Sequence, residues 1–137
     1  GRFPGAAGGT GRAPTLQLGW CLNNVNREDG MAFYELRQYK IQDGKMDAWL
    51  KIMEEEIIPF QCAQGMVICA SFRGEEDDSV YFWIRRFESE AACAQLYAAV
   101  YESDYWKNDV APRVGELIDR SATVVQRVTA TRMSPLQ

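Results

Sequence analysis

The apolar positions change period four times between Phe33 and Val128. From Phe33 to Ile41, FYELRQYKI sets Tyr34 and Leu36 on one side and Phe33, Glu35, Arg37 and Tyr39 on the other, the two-residue period of a strand. QDGK breaks it at Gly44. Met46, Trp49, Leu50, Met53 and Ile57 then recur at helical spacing, with Asp47, Lys51, Glu54 and Glu55 on the solvent side, and Pro59 is expected to kink or end that helix. Gly65 opens MVICASFR, a second strand, and the acidic turn GEEDDS joins it as a hairpin to a third, VYFWIRRF.

After Phe87 the helical period returns. Ser89 has the chemistry of an N-cap, and Ala92, Leu96, Ala99 and Val100 form the expected buried stripe. A further helical piece runs through DYWKNDVAPRVGELID, interrupted near Pro112, with Trp106, Val110, Val114, Leu117 and Ile118 as its apolar positions. ATVVQRVTATR closes the pattern as a fourth strand. The order βαββαβ predicts an α+β, ferredoxin-like fold: an antiparallel four-stranded sheet with helices on one face.

The third strand poses the main problem, because Arg85 and Arg86 stand in a run of large apolar residues. Alternation separates Val80, Phe82 and Ile84 from Tyr81, Trp83, Arg85 and Phe87. The first set is expected to pack on the helices and the second to face away from them, and because a lone buried guanidinium is costly the arginines are expected to be paired. Arg86 is expected to reach past the sheet edge to the acidic helix ends. Tyr39, Tyr81, Trp83 and Phe87 would then form a patch too apolar for water, so a second subunit is expected to cover it and close a two-fold barrel. Arg37 and Arg85 would lie at the intersubunit lumen, with Glu35 as their counter-ion.

Composition narrows the chemistry. A hydrophobic share of 47% with 25% charged residues is that of a globular domain, and a pI near 4.9 with net charge −4 argues against nucleic acid as a partner. No apolar run approaches the roughly 20 residues of a membrane-spanning helix. Without a histidine, and with Cys21, Cys62, Cys69 and Cys93 at no metal-ligand spacing, neither a zinc site nor any cofactor is expected. Cys69 and Cys93 read as core residues, and a reducing cytoplasmic setting is the expectation. The carboxylate runs at 54–56 and 75–78 lack the spacing of a calcium loop and read as solvated.

Residues 1–30 are rich in Gly, Ala, Pro and Thr and precede Met31. They are expected to be a flexible leader, with the folded domain spanning 31–137 and carrying 12 basic and 17 acidic residues.

YELRQYKIQDGKMDAWLKIMEEEIIPF, QGMVICASF, YFWIRRFESEAACAQLYAAVYESDYWKNDVAPRVGELIDR and ATVVQRV together resemble the NIPSNAP family of dimeric α+β barrel proteins. The resemblance covers Phe33–Val128, with YELRQY, GK, WIRRF and the YW followed by Pro112 its most specific parts. It implies the ferredoxin-like fold and a homodimer, and it assigns no reaction. The family's eukaryotic members are linked to mitochondria and vesicle-related interactions, whereas this short chain looks more like a bacterial member.

Glu35, Arg37, Tyr39, Trp83 and Arg85 are the candidate ligand-binding residues: arginines for an acidic group, aromatics for an apolar body. The competing reading is a structural ion pair beneath a packed interface. Tyr97, Tyr101, Tyr105 and Trp106, at three- to four-residue spacing, read as helix core. The leading functional expectation is therefore a homodimer binding a small hydrophobic or acidic molecule in its intersubunit lumen. Two alternatives stand beside it. One is an enzyme similar to cofactor-independent monooxygenases or isomerases of this architecture; the other is a protein-interaction scaffold using its acidic helix faces.

Overall fold

The computed structural model describes residues 31–137; the expected leader lies outside the described residues. Strand β1 (Phe33–Ile41) is followed by α1 (Met46–Ile52), a π-helical turn (Met53–Ile57) and α2 (Ile58–Ala63), which form one continuous helical rod. Next come β2 (Val67–Arg73), β3 (Val80–Phe87) and α3 (Glu90–Tyr101). A second π-helical turn (Trp106–Val110) leads into α4 (Ala111–Leu117), which hands directly to β4 (Ile118–Val128). The sheet is antiparallel with order β2-β3-β1-β4, the expected ferredoxin-like arrangement. Among the described residues no helix is long and apolar enough to cross a membrane.

Local chemistry explains most element boundaries. Gly44 takes φ +73°, the left-handed turn that ends β1's run and lets α1 begin. Ser89 caps α3 by accepting a hydrogen bond from the Ala92 N–H at 3.1 Å. Pro59 neither ends nor sharply breaks its helix. The wide π-helical turn just before it accommodates a residue that cannot donate a main-chain hydrogen bond, and the rod continues to Ala63. The turn before Pro112 repeats the device. β4 begins at Ile118, inside the segment whose pattern predicts helix, and the α3 stripe is Cys93, Tyr97, Val100 and Tyr101, with Ala99 on the surface.

The two faces of the sheet are the reverse of those expected. Tyr81, Trp83, Arg85 and Phe87 are buried beneath the helices, together with Phe33, Glu35, Arg37 and Tyr39 of β1. Trp49 from α1 meets Tyr39 and Tyr81 edge-on at 5.7 and 5.6 Å, and Tyr97 from α3 lies 5.8 Å from Phe87. The large aromatics fill the depth between the layers, and the arginines are tolerated because their partners come with them. Val80, Phe82 and Ile84 lie on the outer face with Leu36, Phe72, Val124 and Val128; Phe72 is 56% exposed. Arg86 also belongs to that face, paired with Glu88 at 2.7 Å and donating to the Gln137 main-chain oxygen at 2.7 Å.

Two glycines test the turns. A Cβ at Gly74 would overlap the main-chain oxygen of Asp77 in the β2–β3 hairpin, whereas one at Gly44 meets open space and only backbone strain. Gly74→Ala is expected to cost about 1–3 kcal/mol and Gly44→Ala about 1 kcal/mol in chemical denaturation, with equal losses contradicting the hairpin geometry.

Candidate functional site

All five residues singled out from the sequence meet in one cluster, between the sheet and the helices. Antiparallel pairing puts Glu35 opposite Arg85 and Arg37 opposite Trp83 on β1 and β3, so four of the five are fixed by strand register. Tyr39 joins through its hydroxyl, which accepts from Trp83 Nε1 at 2.9 Å and Arg37 Nη1 at 3.4 Å. Glu35, Arg37, Tyr39, Trp83 and Arg85 are all buried.

One carboxylate is shared by two guanidiniums. Glu35 Oε1 accepts from Arg85 Nη2 at 2.6 Å and Arg37 Nε at 3.1 Å. Its other oxygen accepts from the Tyr97 hydroxyl, and that hydroxyl in turn accepts from Arg37 Nη2 and Arg85 Nη2, each at 3.2 Å. Arg85 Nη1 donates to the Tyr101 hydroxyl at 2.6 Å, Gln61 Oε1 at 2.9 Å and Met66 Sδ at 3.3 Å. Four rings surround the Arg85 guanidinium carbon: Trp83 at 4.8 Å, Tyr97 at 5.4 Å, Phe87 at 5.6 Å and Tyr101 at 5.8 Å, a cation–π enclosure.

Gln61, Met66, Tyr97 and Tyr101 were not marked as site residues by sequence. The tyrosines sit at i, i+4 spacing, and a buried tyrosine needs a partner for its hydroxyl, which is the signal that ties them to a polar centre. Gln61 follows Pro59 on α2 with nothing local to distinguish it. Cys93 is buried as expected, and the described acids form no cluster able to hold a metal ion.

The electrostatics favour a permanently ionised centre. Burial alone would raise the Glu35 carboxyl; Arg37, Arg85 and the Tyr97 hydroxyl together outweigh it and hold it at about 2. Burial drives the Tyr39 and Tyr97 hydroxyls well above their ordinary range, so both stay protonated. The cluster is therefore ionised guanidinium and carboxylate among protonated hydroxyls, and its carboxylate is too weak a base for efficient proton abstraction near neutral pH.

Glu35 ties this cluster to pH. Its folded value lies below the ordinary 4.5, so its contribution to stability is full above pH 4.5 and is lost as pH falls toward 2. Thermal melts should fall steeply across that window. Glu35→Gln should cost about 3–5 kcal/mol at pH 7 and flatten the acid limb, since two buried guanidiniums lose their carboxylate. An unchanged acid limb would contradict the assigned role.

A NIPSNAP sequence profile matches residues 34–135. A search among curated proteins returned no match. Solved structures that resemble the chain include a NIPSNAP family protein from Agrobacterium tumefaciens, 26% identical with a TM-score of 0.69, the alignment covering 77% of this chain and 99% of that one. A second Agrobacterium tumefaciens NIPSNAP family protein, described as of unknown function, is 25% identical with a TM-score of 0.69 over 80% and 97% of the two chains. A Caulobacter crescentus protein named for antibiotic biosynthesis monooxygenases shares the fold at 15% identity and TM-score 0.58, over 80% and 99%. With a matching profile across most of its length, a ferredoxin-like fold and bacterial relatives of the same build, the chain belongs to the NIPSNAP family.

Proposed function

We propose that the chain is a homodimeric binding protein for a small hydrophobic molecule bearing an acidic group. The acidic group is bound at Arg85 and Arg37, inside each subunit, with Glu35, Tyr39 and Trp83 completing the site. The observation that carries the reading is the sharing of Glu35 by two buried guanidiniums, surrounded by aromatic rings. On Arg85 the acceptors at Nη1 are all neutral, and an incoming oxyanion would add a charge-assisted bond there.

The outer sheet face supports the homodimer. Leu36, Phe72, Phe82, Ile84, Val124 and Val128 share this face with Gln38 and Gln126, and the Phe72 and Phe82 rings meet tilted with centroids 6.5 Å apart. Exposed apolar side chains gathered on one sheet face mark an interaction surface, and two-fold pairing of the same face would cover them. These residues replace the aromatic and arginine set that the alternation placed at the interface. The site and the interface thus use opposite faces of the sheet.

An oxygenase reading has the Caulobacter likeness of fold behind it. It asks for a base able to take a substrate proton near neutral pH, and Glu35 is held too acidic to do so efficiently while Tyr39 and Tyr97 hold their protons. Binding is the better match to these groups.

Sedimentation of the full chain is expected to give a dimer that Phe72→Glu with Phe82→Glu converts to a folded monomer; a wild-type monomer overturns the pairing. Native mass spectrometry of gently purified protein is expected to show an added small-molecule mass per subunit that Arg85→Lys loses. Retention of that mass in a folded Arg85→Lys protein would place the ligand elsewhere.

A further inference from the structure

Arg85 is enclosed more completely than it is neutralised. Its Nη2 shares Glu35 with Arg37. The acceptors around Nη1 are a phenol hydroxyl, a carboxamide oxygen and a thioether sulfur, none of them charged, and sulfur is the weakest acceptor of the three. Nε is buried with no acceptor at all. Nη1, the end where Gln61 and Met66 stand, therefore meets no negative charge.

Those two residues belong to one short segment at the molecular surface. Gln61 is the buried residue of α2, while Cys62, Ala63, Gln64 and Gly65 after it are exposed. The Met66 N–H donates to the Gln61 main-chain oxygen at 3.0 Å, so the two side chains that cover Arg85 are coupled. Between them Gly65 takes φ +107°, a conformation almost closed to other residues and a natural pivot. Gln61 also bridges within the site: its Nε2 donates to the Tyr101 hydroxyl at 3.3 Å, and its Oε1 accepts from Arg85 at 2.9 Å. Solvent lies directly behind the segment.

We propose that the Gln61 carboxamide is an internal stand-in for the ligand's carboxylate, which takes the position of Gln61 Oε1 on Arg85 when the Gln61–Met66 segment swings aside. The inference rests on the binding reading above and adds to it the class of ligand, an organic carboxylate with an apolar body, together with its place and its route in. A carboxylate there gains a charge-assisted bond to Nη1, and its second oxygen can accept from the Tyr101 hydroxyl once Gln61 has left it. Gln61 becomes the residue that sets specificity, since every ligand must outcompete it.

The test uses 2-naphthoate and its neutral counterpart 2-naphthamide, titrated calorimetrically into the full chain. Wild type is expected to prefer naphthoate. Gln61→Ala, which removes the competitor, is expected to tighten naphthoate about tenfold with little change for naphthamide, the worth of roughly one charge-assisted hydrogen bond. Gln61→Glu, which installs a carboxylate beside Arg85, is expected to abolish naphthoate binding and raise the melting temperature. If naphthoate binds and Arg85→Lys loses it, yet both Gln61 variants fold and bind as wild type does, the stand-in is overturned and the binding reading survives. If neither wild type nor folded Gln61→Ala prefers naphthoate, both are overturned. A lowered melting temperature in Gln61→Glu also counts against the stand-in, because it means that Arg85 has no need of added charge.

Discussion

The interaction on which the rest of the structure depends is the one between Glu35 and the two guanidiniums it serves. Ions buried this deeply are tolerated only if their partners arrive together and in register. β1 supplies Glu35 and Arg37, β3 supplies Arg85, α3 supplies Tyr97 and Tyr101, and α2 supplies Gln61. Sliding β1 against β3 by one residue would turn Glu35 to the outer face and leave Arg85 alone among aromatic rings. The cluster thus specifies strand pairing and helix docking at once, which apolar packing alone specifies less sharply.

Both helical layers bend to meet it. The π-helical turns at Met53–Ile57 and Trp106–Val110 each precede a proline, and each re-aims the following turn of helix. The first carries the rod on to present Gln61 to Arg85. The second is tied back to the first: Arg113, one turn beyond it, forms a two-pronged salt bridge with Glu56 at 2.7 Å for each contact, and Tyr105 donates to the same carboxylate at 3.1 Å. Surface pairs like this contribute modestly to stability, yet this one fastens the two irregular segments to each other.

The sequence was most readable where a single residue type determines local geometry. Gly44, Ser89 and the acidic hairpin after Gly74 stand where their chemistry demands, and the strand periods gave the right pairs of faces. Which face turned inward was not readable. Both sides of VYFWIRRF are apolar enough for a core, and alternation separates Val80, Phe82 and Ile84 from the other set without saying which side meets the helices. The side that carries the arginines turns inward because Glu35, two positions before Arg37, and tyrosines and a glutamine from distant helices give the buried guanidiniums partners. Gln61 was unreadable for the same reason: its importance lies in a contact 24 residues along the chain. In α3, Tyr97 and Tyr101 are core as their spacing predicts, with polar partners there for their hydroxyls, and only Ala99 of the expected stripe is left outside.

The alternation along β1 and β3 divides their positions by parity. Odd-numbered residues from Phe33 to Tyr39 and from Tyr81 to Phe87 look inward, and the even-numbered ones between them look out. Each strand is thus a tape written on both sides, with a buried charge cluster on one and an apolar outer surface on the other. A substitution on one side leaves the other side's chemistry in place, so the outer surface can be rewritten without touching the buried network, or the reverse.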